Sequence, residues 1–193
     1  GGGGSPVLYG ISNGFGTAAN NQIYEINPAT GAISNAHQVT LAGFTMSRSQ
    51  SLTAHPTTGV LYAVIQTSDG VRRLVTIDPV TGIATQIGPF TGGLQFATLA
   101  FKPDGTLLGV TGNNGPTPET MYTISTLDAS ATLLLALGNG ADGETIAFHP
   151  NGLLYYSSGN STALFESVDL TTNVVTPIGS AVGEMFAMGY YTP

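Results

Sequence analysis

A string of six residues occurs three times in this sequence at a constant interval. The three versions are Ser51–Pro56 (SLTAHP), Thr98–Pro103 (TLAFKP) and Thr145–Pro150 (TIAFHP), and their prolines lie 47 residues apart. A glycine turn and three further short runs follow each string before the next one begins. Self-similarity at a period of about 20–50 residues is the sequence mark of solenoids and propellers. The fold must therefore use one supersecondary unit several times.

The runs within each repeat have the composition of β-strands. Each is four to eight residues long, rich in Val, Ile, Thr, Tyr and Phe, and bounded by Gly, Pro, Asn or Asp. Asn27–Gly31 and Asp78–Gly82 place proline where a tight turn fixes φ and glycine where φ is positive. No window of a dozen residues keeps a 3.6-residue period, which predicts almost no helix. Four short strands in 47 residues predict one blade of a β-propeller.

These repeats, together with the Asp-Pro-x-Thr-Gly turn at Asp78–Gly82, resemble the bacterial β-propeller repeat families. The resemblance is to the WD-repeat-like type whose turn occurs in secreted, surface-layer-type propellers, and it covers residues 6–193. It implies the fold and says almost nothing about activity.

The chain begins inside one blade and ends with a spare copy of the innermost strand. Val7–Ile11 is a second strand, whereas Met188–Pro193 resembles the innermost strand of another blade. Pairing the two predicts an all-β, four-bladed propeller of four-stranded antiparallel blades, closed by the C-terminal strand joining the N-terminal blade. The alternative is two chains sharing an eight-bladed ring. Residues 1–5 are interpreted as a linker or scar, and 6–193 as one domain with blades at 6–43 plus 184–193, 48–91, 94–139 and 142–182.

Charged side chains are scarce and mostly acidic. The sequence contains four Lys and Arg residues and eleven Asp and Glu residues, which gives a net charge of −7. Without a basic patch, nucleic acid is excluded as a partner. No apolar run approaches the ~20 residues of a membrane-spanning helix, so membrane insertion is not expected. The chain has no cysteine, which excludes disulfides, zinc–thiolate sites and thiol catalysis. One lysine among abundant Thr, Ser, Asn and Gly favours an extracellular or cell-surface location, as the mature part of a secreted protein.

Several scarce charges are predicted to meet at the mouth of the central channel. Leu52, Leu99, Ile146 and Met188 are taken as equivalent positions on the innermost strands. The residues four places before them are Arg48, Gln95, Asp142 and Glu184, and Glu144 lies two places before Ile146. One interpretation is an ion or a small polar ligand held there. The other is an ordinary solvated loop end.

One stretch of this region has cation-binding chemistry. Asn139, Asp142 and Glu144 place three oxygen-bearing side chains within six residues, with glycines between them. Hard cations such as calcium prefer oxygen ligands, although a plain turn has the same composition. Carbonyls of the innermost strands offer a second way to hold calcium or sodium in the channel. No other cofactor is indicated.

Other chemistry-bearing side chains recur with the repeat. His55 and His149 occupy one repeat position, with Lys102 between them, and are interpreted as turn residues rather than metal ligands. Aromatic residues form further series, interpreted as inter-blade core with sugar stacking as the alternative. Two of these series are Tyr9, Tyr62 and Tyr155, and Tyr24, Tyr122 and Phe165.

No catalytic motif is recognisable: neither a nucleophile elbow, nor His-Glu-x-x-His, nor a phosphate loop occurs. The leading hypothesis is a non-catalytic binding or assembly module that binds a protein or glycan partner or associates with itself. One alternative is a hydrolase- or lyase-type enzyme with its site at the channel mouth. The other is an excised or designed propeller scaffold.

Overall fold

All regular secondary structure is β-strand in the part of the chain that the structure describes, as the sequence predicts. The computed structural model describes residues 7–13, 20–138, 143–149, 151–158 and 164–180, with only the backbone of 143 and 144. The strands are β1 (Leu8–Ile11), β2 (Gln22–Ile26), β3 (Ile33–Gln38), β4 (Thr40–Leu41), β5 (Met46–Ala54), β6 (Leu61–Thr67), β7 (Arg72–Ile77), β8 (Ile83–Pro89), β9 (Phe96–Phe101), β10 (Leu107–Thr111), β11 (Thr120–Ile124), β12 (Ala131–Ala136), β13 (Gly143–Phe148), β14 (Leu154–Ser158), β15 (Leu164–Asp169) and β16 (Val174–Ser180).

Strands that follow one another in the chain pair into antiparallel sheets. The sheets are β1-β2-β3, β5 to β8 with β4 added, β9 to β12, and β13 to β16, which are blades 1 to 4. Short turns join the strands, as antiparallel pairing permits. The sheets form a four-bladed β-propeller, with β5, β9 and β13 side by side as innermost strands. The predicted closing strand, Met188–Pro193, lies outside the described residues.

Apolar side chains fill the three junctions for which the structure describes a core, because a blade that lies between two others has both of its faces covered. The core between blades 1 and 2 is built on Ile23, Ile65 and Val75. The next core contains Phe96 and Phe101, and the third contains Leu108 and Tyr156. All three junctions pack in the same way because the face that each side chain takes is set by its register, which recurs with the repeat.

The strand register corrects one predicted aromatic series. Tyr24 pairs with Gly10, and Tyr122 pairs with Gly109, whereas the blade 4 residue at the same place is Glu166, opposite Tyr156. Phe165 therefore lies one residue out of that series and on the opposite face. A side chain added at Gly109 would meet Phe96 at 2.7 Å, and one added at Gly10 would meet Tyr24 at 2.5 Å. These glycines leave room for aromatic rings on the same face.

The boundary between blades 1 and 2 also differs from the prediction. Thr40 and Leu41, assigned by sequence to blade 1, form β4, which pairs in parallel with β8 at the outer edge of blade 2. The Thr40 amide donates to the carbonyl of Gly82 at 3.1 Å, and Leu41 is buried. Burial of Leu41 and completion of an edge ladder favour this crossing.

Candidate functional site

The innermost strands present hydroxyl side chains at one repeated position. Ser51, Thr98 and Thr145 lie three residues before the last residue of β5, β9 and β13 respectively. The Ser51 hydroxyl accepts a hydrogen bond from the Leu99 amide at 2.9 Å, which ties blade 2 to blade 3 near the centre. Thr98 and Thr145 are buried. The three hydroxyl side chains thus lie where the innermost strands of blades 2, 3 and 4 converge.

A cavity of about 500 Å³ lies where the three innermost strands face blade 1. The described residues that line it are uncharged, and they present hydroxyl, amide and backbone groups to the cavity. The lining residues are Leu8, Tyr9, Gly10, Ile11, Tyr24, Ile26, Gln50, Ser51, Leu52, Ala97, Thr98, Leu99, Thr145 and Ile146.

Two of the predicted channel-mouth residues can be placed in full. Arg48 is exposed on β5 opposite Gln66, and Gln95 is half-buried just before β9. Gln95 accepts a hydrogen bond from the Gly112 amide through its carbonyl, at 2.9 Å. Neither residue lines the central cavity. The backbone of Glu144 lies in β13, whereas Asn139, Asp142 and Glu184 fall outside the described residues. The predicted mouth cluster and its calcium site therefore stay predictions.

Two arginines prove to be structural, which the sequence analysis did not foresee. The Arg72 guanidinium donates to the Phe96 carbonyl on the next blade at 2.6 Å. Arg73 forms an ion pair with Asp69 at 2.7 Å and lies 4.2 Å above the ring of Phe44. Hydrogen bonds from Arg73, Thr67 and the Val71 amide hold the pKa of Asp69 well below its ordinary value. The sequence does contain a signal for this role, because two adjacent arginines begin a strand in which three of the other four residues are apolar.

Most other described aspartates also serve the backbone. Asp78 accepts from the Val80 amide at 2.9 Å and from the Thr81 hydroxyl at 2.9 Å, and these bonds lower its pKa. The Thr106 amide and then Lys102 lower the pKa of Asp104 to about 2. Asp128 and Asp169 have lowered pKa values for the same reason, because each accepts hydrogen bonds from its own turn. Such side chains fix turns and are already ionised at neutral pH.

The predicted turn role of two histidines is confirmed. The Nδ1 atom of His55 accepts from the amides of Thr57 and Thr58 at 3.2 and 3.3 Å. His149 accepts from the Asn151 amide in the same way, at 3.1 Å. Within the described ranges, no three His, Cys, Asp or Glu side chains lie close enough to hold a metal ion. The same ranges contain no helix long and apolar enough to span a bilayer.

The sequence of this chain matches a known protein family. Residues 50–190 match a family described as a repeat of unknown function, DUF6923, and the match spans well over half of the chain. The chain belongs to this family. A comparison with curated proteins finds no match.

Solved structures with the same fold are distant in sequence from this DUF6923 chain. A protein of unknown function from Bacteroides thetaiotaomicron is 15% identical with a TM-score of 0.68, covering 95% of this chain and 51% of that one. A chain of a nidogen/laminin complex is 12% identical with a TM-score of 0.67, covering 94% and 64%. The Dos1 propeller is 14% identical with a TM-score of 0.50, covering 93% and 48%. The DUF6923 chain thus spans about half to two thirds of each, and the similarity establishes the propeller fold.

Proposed function

We propose that this propeller is a non-catalytic binding and assembly module that associates with other copies of itself through its outer strands. The observation that carries the proposal is the absence of charge from all four outer strands. β3, β8, β12 and β16 contain no Asp, Glu, Lys or Arg. Each exposes at least one large apolar side chain, and these are Ile33, Ile83, Leu133, Val174 and Ile178.

Edge strands of soluble proteins are normally guarded against pairing by charges, prolines or covering segments. In this chain three of the four outer strands have a feature that hinders pairing with another strand. β8 is covered by β4 and contains Pro89, and β16 contains Pro177. β3 contains Asn35 in the left-handed conformation, with φ of 50°. All four outer strands contain a β-bulge, and β12, with the sequence ATLLLA, is the one among them that has no proline, no left-handed residue and no covering strand. It is therefore the edge that we propose for self-association.

The chain itself contains an instance of strand addition at an outer edge. β4 adds to β8 through backbone hydrogen bonds and the buried side chain of Leu41. Leu133 is 63% exposed at the centre of β12, where it would supply the equivalent apolar contact to an incoming strand. The addition of a strand from a partner to an exposed sheet edge, called β-augmentation, uses the same main-chain pairing and buries alternate side chains.

We place this module outside the cell or at its surface. The support is compositional, since one lysine among 193 residues and the abundance of Ser, Thr, Asn and Gly suit a secreted protein. The Asp-Pro-x-Thr-Gly turn at Asp78–Gly82 resembles that of secreted, surface-layer-type propellers. A protein or glycan partner remains an alternative to self-association, and a hydrolase- or lyase-type activity is the alternative from another class.

A pair of lysine variants tests the proposal. Leu133→Lys places a charge at the edge of β12, whereas Leu127→Lys makes the same change in the preceding turn, where the side chain is 91% exposed. Sedimentation across a concentration series should show association of the unmodified chain. Leu133→Lys should abolish it, and Leu127→Lys should preserve it. A monomer at every concentration, or equal loss in both variants, would refute self-association through β12.

A further inference from the structure

The hydrogen bonds of the hairpin between β11 and β12 show which backbone groups of β12 point outwards. The Ser125 amide donates to the carbonyl of Ser130, which lies opposite it, at 2.8 Å. Hydrogen-bonded and non-hydrogen-bonded pairs alternate along an antiparallel ladder, so Thr132 also bonds towards β11. The N–H and C=O groups of Ala131 and Leu133 therefore point away from the sheet. Thr132 and Leu133 are exposed, and Ala131 is half-buried.

A β-bulge limits the regular part of this outer edge. The register of β12 on β11 shifts directly after Leu133, where Leu134 is the extra residue. A bulge interrupts the alternation of backbone groups along a strand. The side chains of Leu134 and Leu135 also pack against the core between blades 3 and 4, which fixes this half of β12. Regular pairing with another strand is therefore available to residues 131–133.

Blade 2 shows which apolar contact an added strand makes at the equivalent place. Ala84 pairs with Ile77 in blade 2 as Ala131 pairs with Ile124 in blade 3, so the two alanines are equivalent. Leu41 of the added strand β4 lies opposite Ala84 and is buried in the core between blades 1 and 2. Ala131 packs in the same way against the core between blades 2 and 3. A leucine placed opposite Ala131 would therefore repeat the contact that Leu41 makes.

One antiparallel register between two copies of β12 satisfies both the backbone and the side-chain requirement. When Thr132 lies opposite Thr132 of a second copy, Ala131 of each copy lies opposite Leu133 of the other. The outward N–H and C=O groups of both residues then form reciprocal hydrogen bonds. Leu133 also meets Ala131 of the second copy as Leu41 meets Ala84 within the chain. On the other face the two threonines form a cross-strand pair, which stabilises antiparallel sheets.

We infer that β12 pairs with β12 of a second copy about a two-fold axis at Thr132, which joins blade 3 of both propellers into one continuous sheet. This inference rests on the proposed self-association and adds its partner strand, its register and its symmetry. A two-fold contact uses the same edge of both copies, so association ends at a dimer, whereas a head-to-tail contact continues into larger assemblies. The paired segment is short, so the dimer is weak and forms at high protein concentration.

Single-cysteine variants test the axis, because the chain has no cysteine of its own. Thr132→Cys should form a disulfide-linked dimer under mild oxidation, since a non-hydrogen-bonded pair brings its Cα atoms to about 4.5 Å, within disulfide range. The matched control is Leu127→Cys, in the preceding turn, where the side chain is 91% exposed. It should cross-link at least about tenfold more slowly, because it meets its counterpart only by random collision. Peptide mapping should find position 132 joined to itself.

Sedimentation of the unmodified chain separates the possible failures. An average mass that levels off at twice that of the chain supports the two-fold contact, and a mass that keeps rising with concentration overturns it. If the chain associates but Thr132→Cys cross-links no faster than Leu127→Cys, the register is wrong and self-association stands. If the chain stays monomeric at every concentration, self-association and this inference are both refuted.

Amide hydrogen exchange tests the same pairing without any substitution. The amides of Ala131 and Leu133 should exchange more slowly as the protein concentration rises, because they gain partners only in the dimer. Where about nine-tenths of the chains are dimeric, the slowing should be about tenfold. The Thr132 amide, which faces β11 in every copy, is the internal control and should not change. Exchange at Ala131 and Leu133 that is independent of concentration, in a chain that associates, would overturn the inferred register.

Discussion

Individual polar residues of this propeller stabilise its turns and pair with its buried arginine side chain. Asp69 accepts two hydrogen bonds from Arg73, one from each terminal nitrogen of the guanidinium group, at 3.1 and 2.7 Å. The Arg73 side chain is 7% exposed, so its positive charge depends on this partner and on Thr67. Removal of one member of such a pair leaves a desolvated charge behind.

Asp69→Asn should therefore lower the thermal midpoint at neutral pH. The pKa of Asp69 is lowered from an ordinary value of 3.8, so its stabilising effect is complete above about pH 5. The effect is lost as the pH falls towards the lowered pKa. Calorimetry from about pH 7 to about pH 2 should show the difference between variant and parent shrinking in acid. Asp128→Asn is the matched comparison: the pKa of Asp128 is also lowered, but by turn contacts to serines rather than by a cation, so its difference from the parent should shrink in acid in the same direction and be smaller at every pH. A difference that is constant with pH would contradict this assignment.

At the residue scale, the sequence predicted roles that depend on local spacing and missed roles that depend on register. The turn roles of Asp78 and His55 follow from residues within five positions of each. Phe165 was placed in a series with Tyr24 and Tyr122 because spacing alone does not reveal the one-residue offset. In blade 4 Tyr156 supplies the ring and Glu166 stands opposite it. Only the pairing of β14 with β15 shows that the aromatic residue of this pair lies on β14 in blade 4 rather than on the third strand.

At the scale of elements, β4 joins blade 1 to blade 2 outside the regular repeat. Its two residues bind the edge of β8 in parallel, and Leu41 enters the core that also contains Val39 and Ala84. Its shortness and its remote partner explain why the sequence did not predict it. The regular strands were predictable because each is a short run rich in Val, Ile, Thr, Tyr and Phe between turn residues, and these runs recur with the repeat.

Leu41→Ala should destabilise the chain by about 2–5 kcal/mol, as expected for a buried leucine whose cavity cannot collapse fully. Leu41 is 6% exposed, whereas Val80, in the neighbouring turn, is 73% exposed. Val80→Ala is therefore the matched control and should change the free energy of unfolding by less than about 0.5 kcal/mol. Urea titration measures both. Equal midpoints for the two variants would show that β4 contributes no packing.

At the scale of the whole molecule, three junctions between blades have described cores, and the fourth lies between blade 4 and blade 1. Leu8, at the border of the cavity, is 50% exposed, and Tyr155 on blade 4 is half-buried. The sequence predicted the number of blades because the repeat is regular. It did not predict the contents of the centre, because the residues that line a cavity follow from how four sheets converge rather than from any local spacing.

Deletion of residues 184–193 tests how much the fourth junction matters for the entire fold. If this segment supplies the innermost strand of blade 1, its loss exposes the edge of β1 and the apolar surface around Tyr9 and Tyr155. Each large side chain left exposed costs about 1.5–3 kcal/mol, so several together threaten a total stability of about 5–15 kcal/mol. The truncated chain should aggregate or melt far below the parent. Deletion of residues 1–5, the glycine-rich start, is the control and should leave the melting temperature unchanged. A chain lacking 184–193 that stays monomeric and melts within a few degrees of the parent would mean that this segment does not complete the propeller.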